Sequence, residues 1–413
     1  MKYAKKILVL VALINLCFSF YAEGRILEFK FNKGDKSRIL STVVEEVYLN
    51  GIYQYTSTIL NRISSEITEV SKDGSGTCEA NFMTSESSSN QYNGRNFSWG
   101  QEYQSAFKRD KTGKYTISDI YFMPTVRDVP VFPKEPIKIG DTWTCEGHEA
   151  HDMRTAFGIE KPFEVPFTAT YKYLKDEKTA EGKTLNVIQV YYNLDFKSPA
   201  PSSYSDFQSM NSSFIPAYTS GFSNQTIWWD NERGTIDRYS EKFKIGIKTY
   251  SGDQIIFQGN ASAEVTDFSS ANTQENVKKI TDTINNLGIK DVDVKKDKKG
   301  LTISIENIQF MPDSSTLMES EKIKLQKIAE ILKEFDNDLL ITGHCANRGS
   351  IENQKIISEQ RAVSVAEYLT YLKVRDAKCI FTQGKGASEP VASNATELGR
   401  ARNRRVEITI MDK

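Results

Sequence analysis

Within LLITGHCANRGS (Leu339–Ser350) a run of aliphatic residues gives way at Gly343 and His344 to small and polar side chains, with further turn formers at Asn347 and Gly349. An apolar run this short, bounded by glycine, reads as a buried strand, and the polar stretch after it as a loop. The period then changes. Ile357, Val365, Leu369 and Leu372 recur at the spacing of an amphipathic helix. The alternation extends in both directions. Upstream, Leu301, Ile303 and Ile305 mark a strand. Leu325, Ile328, Leu332 and Phe335 then mark a helix, opened by Thr316 and Glu319 at capping-box spacing. Downstream, CIFTQG (Cys379–Gly384) and VEITI (Val406–Ile410) are strands, so residues 301–413 follow a β-α-β-α-β-β plan. Strand–helix–strand repeats require crossovers, which predicts an α/β sandwich: a mixed sheet with helices on one face.

The preceding residues, 269–300, read as a helix–strand connector. SSANTQENVKK is a polar joint into a helix with Val277, Ile280, Ile284 and Leu287 on one face, stopped by Gly288. DVDV and LTISI follow around the turn Asp297–Gly300. Residues 25–268 have a different texture. Tyr239, Glu241, Phe243, Ile245, Ile247 and Thr249 alternate with Ser240, Lys242, Lys244, Gly246 and Lys248, the period of a half-buried strand. Similar runs at Arg38–Leu49, Thr168–Leu174 and Asn186–Leu194 are separated by Gly, Asp, Asn and Lys clusters. This region is expected to be antiparallel β, sandwich-like or a curved sheet. Prolines 130, 133 and 136 suggest a break near 130–140 between two subdomains. The fold class expected for the whole chain is α+β multidomain.

Residues 1–22 read as a signal peptide. Lys2, Lys5 and Lys6 precede the apolar run Ile7–Phe20, which is short of the ~20 residues that span a bilayer. Cys17/Ser19 and Phe20/Ala22 are both imperfect cut sites; lipidation at Cys17 stays open, although Leu16 before it is bulky. No later stretch approaches ~18 apolar residues. At 413 residues the chain has room for two or three cores, and its net charge of −1 offers no electrostatic case for nucleic acid or an anionic membrane. After export, Cys78, Cys145, Cys345 and Cys379 sit where disulfides can persist. Cys78 and Cys145 can pair, which would contribute about 4 kcal/mol in the chain-entropy model, or stay as free thiols. Cys345 and Cys379 are expected at opposite ends of neighbouring parallel strands, beyond bonding reach. His148 and His151 in GHEAHD have the wrong spacing and too few ligands for a zinc-protease site, and their surroundings read as a loop. Neither a nucleophile–base constellation nor a phosphate-cradling glycine loop is evident, so no metal, cofactor or catalytic residue is expected.

Five runs together resemble the OmpA-like C-terminal domain. They are NIQFMPDSSTL (307–317), ITGHCANRG (341–349), ISEQRAVSVAEYL (357–369), GKGASEPVASN (384–394) and ELGRARNRRVEITI (397–410). The resemblance covers roughly a quarter of the chain and does not reach the β-rich region. It implies a domain that holds peptidoglycan non-covalently by gripping the diamino acid of its stem peptide. Such a ligand offers a carboxylate beside an ammonium group: an arginine fork takes the first through two charge-assisted hydrogen bonds, and an aspartate takes the second. Arg361 falls on the family's arginine, with Ile357, Ser358 and Ala362 around it. The aspartate position holds Ala346, and the threonine before it has become Cys345. Losing that acid removes a charged hydrogen bond worth ~1.5–3 kcal/mol, a weakening of about tenfold to a hundredfold. Asn347 is uncharged, and Asn403 and Arg404 of the NRR run are secondary site candidates. A competing role for Arg361 is an internal brace against Glu352 or Glu359.

The sequence therefore predicts an exported, non-enzymatic envelope protein of the periplasm and outer membrane. Its OmpA-like domain would tether peptidoglycan with weakened or altered specificity, and its β module would meet an outer-membrane or envelope protein partner. Two alternatives stand beside it: an integral outer-membrane β-barrel with an OmpA-like tail, and a degenerate module that no longer binds peptidoglycan and mediates protein interactions.

Overall fold

In the computed structural model the described residues are 24–88, 97, 98, 100, 102–154, 159–198, 215–266, 271–297, 299–311 and 314–412. The expected signal peptide lies outside them. The N-terminal strands are β1 (Lys36–Leu49), β2 (Ile52–Val70), β3 (Gly76–Ser88), β4 (Phe97–Ser98), β5 (Glu102–Arg109), β6 (Tyr115–Ile117) and β7 (Val126–Arg127). They continue with β8 (Thr142–His151), β9 (Phe163–Lys178), β10 (Thr184–Lys197), β11 (Pro216–Asp230), β12 (Thr235–Thr249) and β13 (Gln254–Thr266). All but β4 join one antiparallel sheet of 12 strands in the order β6-β5-β3-β2-β1-β13-β12-β11-β10-β9-β8-β7. The first long strand pairs with the last, Val43 opposite Ala261. The sheet's two ends then approach each other: the Tyr115 amide donates to Asp128 Oδ1 at 2.7 Å. The result is a nearly closed, barrel-like sheet, the curved of the two expected forms rather than the sandwich.

Alternation explains its inside. Along β9, Val165, Phe167, Ala169, Tyr171 and Tyr173 are buried while Thr168, Thr170 and Lys172 are exposed. With Ile188, Val190, Tyr192, Ile227 and Trp229 they form the core of this module. The prolines near 130–140 do not divide it. Instead the segment they stiffen dips into the core: Phe132 is 2% exposed, its ring centroid 4.7 Å from that of Trp229, and the Trp143 indole donates to Val131 O at 2.7 Å. The expected loop at Trp143–Gly147 is part of β8, since its residues complete a full antiparallel ladder with β9. Cys78 and Cys145 are free thiols. They stand on β3 and β8, on either side of the closure between β6 and β7.

Helix α1 (Gln274–Asn286) is capped by Thr273, whose side chain accepts from the Asn276 amide, and it ends before Gly288 at φ 62°. Then follow β14 (Val292–Asp297), β15 (Gly300–Ile305), α2 (Glu319–Leu332), β16 (Leu339–Gly343), α3 (Ile351–Tyr371), β17 (Ile380–Gly384), α4 (Glu397–Asn403) and β18 (Val406–Met411). The sheet order is β14-β15-β18-β16-β17-β4. β16 and β17 are parallel, while β18 lies antiparallel between β15 and β16, so the sheet is mixed. Two expectations fail here. Helix α4 interrupts the last two strands, and α2 begins at Glu319 behind Met318 with no side-chain cap, so Thr316 closes no capping box. The core is aliphatic: Leu301, Ile303, Ile341, Ile380 and Ile408 from the sheet meet Leu325, Ile328, Val365 and Leu369 from the helices. Leu340, Phe381 and Met411 point the other way and bury Leu60 of β2. There Arg62 pairs with Asp338, and its guanidinium lies 3.9 Å over the Phe381 ring.

Candidate functional site

Two glycines set how closely α3 lies on the sheet. A Cβ at Gly343 would stand 2.0 Å from Ser358 O, and one at Gly384 would stand 2.6 Å from the Glu359 amide. Only a bare backbone at the ends of β16 and β17 lets this helix approach. That contact places Arg361, the next turn of α3, above the loop that leaves β16.

The loop itself is pinned by backbone and amide contacts. The Cys345 amide donates to Gly386 O at 2.9 Å and the His344 amide to Arg405 O at 2.9 Å. Ser350 caps α3 by accepting from the Asn353 amide, and Gly349 makes the preceding turn at φ 87°. Gln354 Nε2 donates to Asn347 Oδ1 and Gly349 O, both at 3.1 Å. Ala346 is 8% exposed, and its methyl group offers no polar contact. The Cys345 thiol lies 3.7 Å from Gln354 O, and burial pushes its pKa up, so it is neutral at neutral pH.

Arg361 is half-buried. Its guanidinium carbon lies 4.9 Å from the centroid of the Phe310 ring, and its buried Nε has no hydrogen-bond partner. Burial first, and Arg404 nearby, depress its pKa, with the Cys345 thiol acting in the opposite sense; it stays a cation. Among the described residues no carboxylate pairs with it. Glu359 instead accepts from Thr382 Oγ1 at 2.9 Å, so the internal-brace expectation finds no partner there. Arg404 Nη2 donates to Glu397 Oε1 at 2.9 Å, and the exposed Glu397 is shared with Arg400. The site thus has two guanidiniums and one divided acid.

Of the sequence candidates, Arg361, Cys345, Ala346 and Arg404 come together. Asn347 sits at the rim with its side-chain oxygen taken. Asn403 is different in kind: its Oδ1 accepts from the Val391 and Ala392 amides, and its Nδ2 donates to Ala392 O and Asn394 Oδ1. A side chain 1% exposed with all these bonds made braces the 391–394 loop and has nothing left for a ligand. Sequence reasoning missed Phe310 as a site residue. The signal was its place in NIQFMPDSSTL, an aromatic just ahead of α2 and outside any strand period.

Beneath the site His344, 0% exposed at its side chain, lies 3.6 Å from Glu407, which Arg405 and Lys295 also contact at 3.0 and 2.8 Å. Despite burial, hydrogen bonds from His344 and Lys295, with the Arg405 charge beside them, hold the Glu407 carboxyl well below its ordinary range, and burial lowers the His344 pKa. The pair braces the strand end, as a structural histidine would. His151 Nε2 likewise donates to Glu149 Oε2 at 2.8 Å inside the β module, and among the described residues no group of three or more His, Cys, Asp and Glu could hold a metal ion.

Residues 309–404 match the model of the OmpA family. Similar proteins include "Probable lipoprotein YiaD" of Escherichia coli strain K12, 40% identical over 105 residues, 25% of this chain and 48% of the relative. "Outer membrane protein A" of Bordetella avium is 40% identical over 100 residues, 24% of this chain and 51% of the relative. "Peptidoglycan-binding protein ArfA" of Mycobacterium bovis is 40% identical over 104 residues, 25% of this chain and 32% of the relative. The chain spans about half the length of the first two relatives and a third of the last. Residues 309–404 of this chain are an OmpA-family domain.

Proposed function

We propose that this chain is an exported envelope protein that associates non-covalently with peptidoglycan through its OmpA domain, in a structural rather than catalytic role. The observation that carries the reading is Arg361: a guanidinium with an unpartnered Nε and, among the described residues, no carboxylate. A half-buried cation left unpaired costs free energy unless something outside supplies the anion. A relative named for peptidoglycan binding and two named as an outer-membrane protein and a lipoprotein support the same envelope setting. Reversible tethering follows from many weak contacts to one polymer, which add through effective concentration. The β module, held to the domain at Leu60 and Arg62, would contribute an envelope protein partner. Co-sedimentation with purified sacculi tests this. Wild type should be retained and Arg361→Ala lost; equal retention of the two removes the tethering claim and leaves the protein-interaction module.

The nearly closed 12-strand sheet favours a second reading, an integral outer-membrane barrel. Its outward face speaks for the peripheral one: Lys172, Asp195, Lys242, Lys244 and Lys248 are exposed on β9, β10 and β12, and cations on a lipid face cost ~2–4 kcal/mol each at the bilayer midplane. Release from membranes by carbonate marks a peripheral protein; retention marks an integral one.

A further inference from the structure

We infer that the Arg361 pocket takes a carboxylate that has no ammonium group beside it, so that its ligand is the carboxylate of an N-acylated amino acid or peptide C-terminus rather than a free amino acid head. The inference rests on the tethering role proposed above and narrows the chemistry of its ligand. Four observations converge on it. At position 346, next to Cys345, a buried methyl group offers no acceptor. The neighbouring Cys345 thiol faces the Gln354 carbonyl and is neutral. Asn347 Oδ1 accepts from Gln354 and is uncharged. Glu359 on the same helix accepts from Thr382 rather than pairing with Arg361.

The cationic side is overprovided. Arg361 and Arg404 are close enough to depress the Arg361 pKa, and the one acid between the arginines, Glu397, is divided between Arg400 and Arg404. An incoming carboxylate relieves that repulsion and fills the unpartnered Nε. An ammonium arriving with it would meet guanidinium charge and, among the described residues, no carboxylate paired with Arg361, which cancels part of the gain. The Phe310 ring under the guanidinium supplies an apolar surface for the methyl or methylene next to the carboxylate.

The test compares 2,6-diaminopimelic acid with its N,N′-diacetyl derivative, which keeps both carboxylates and lacks both ammonium groups. Full-length wild type, Arg361→Ala and Ala346→Asp are titrated by calorimetry, with thermal melts confirming that each variant is folded. Wild type is expected to bind the diacetyl form at least as tightly as the free form. Ala346→Asp should swing the ratio toward the free form by about tenfold to a hundredfold. A wild-type preference of tenfold or more for the free form overturns the inference, because an acid elsewhere then serves the ammonium; so does an unchanged ratio in Ala346→Asp, and so does binding of neither compound. The sacculus experiment separates the two claims. Arg361-dependent retention together with a preference for the free form defeats only the ligand class, whereas Arg361-independent retention defeats the tethering role itself.

Discussion

The C-terminal domain packs an aliphatic core, Leu301, Ile303, Ile341, Ile380 and Ile408 against Leu325, Ile328, Val365 and Leu369, and keeps its functional charge at the rim. The β module divides its interior. Around β9 to β11 it is apolar and aromatic, but β1, β8 and β12 turn carboxylates inward: Glu45, Glu149 and Glu241, with the exposed Glu86 of β3 beside Glu45. Hydroxyls hold three of these four: Ser223 donates to Glu241 at 2.6 Å, Tyr192 to Glu149 at 2.8 Å and Ser57 to Glu86 at 2.6 Å. In the C-terminal domain the charge that titrates is the Glu407 network beneath the site, whose depressed carboxyl contributes stability that is lost as pH falls. The inward carboxylates Glu45 and Glu241 of the β module act in the opposite sense, so the two modules should respond at opposite ends of the pH range.

The largest effect should come from the aromatic half. Trp229→Ala removes a fully buried ring seated against Phe29 at 4.6 Å and Phe132 at 4.7 Å. Denaturant titration should show a loss of about 3–5 kcal/mol in the transition of the β module. A smaller loss than from Ile341→Ala in the other core would mean that the β module collapses around the gap.

Next comes the seam. Arg62→Ala removes the ion pair with Asp338 and the contact over Phe381 at side chains 12% and 19% exposed, which should cost about 2–3 kcal/mol. The sharper readout is cooperativity: calorimetry should show the two modules melting further apart than in wild type. A single unchanged transition would show that this contact does not couple them.

The pH contrast follows. Burial, helped by Glu86, pushes the Glu45 carboxyl up from its ordinary 4.5 to about 7. Between those values the unfolded chain ionises while the folded chain keeps its proton, so stability falls as pH rises through this window and the cost is complete above it. Glu45→Gln removes the cost. It should stabilise the β module by on the order of 2 kcal/mol at pH 8 and leave it unchanged at pH 4. A gain of equal size at both pH values would assign the effect to packing instead. The smallest test contrasts two helix starts: Thr273→Ala loses a real cap and about 1 kcal/mol, whereas Thr316→Ala should stay within roughly 0.5 kcal/mol.

That last pair also shows what could be read in the sequence. Period alone located α1, α2, α3 and the strands of the C-terminal sheet, because an aliphatic core writes its spacing directly into the chain. Capping is a matter of one residue, and Met318 rather than Thr316 precedes α2. Helix α4 was missed since ELGRARN carries no apolar stripe to announce it. In the β module single strands were legible, but the pairing of β1 with β13 joins residues more than two hundred apart, and no local pattern encodes it. The prolines there read as a boundary, yet they shape a segment that fills the core. At the site, Arg361 and the vacant acid position stood out by register with a family motif. Asn403 shared the motif but spends its amide on the 391–394 loop, and Phe310 entered only once the fold brought it under the guanidinium.

Whether Arg361 receives a ligand can be watched at the atom concerned. The Arg361 Nε–H resonance, assigned by its loss in Arg361→Lys, should shift when soluble peptidoglycan fragments are added to the folded full-length protein. A resonance that stays put while the same fragments perturb other residues would place binding elsewhere and contradict the role given to this guanidinium.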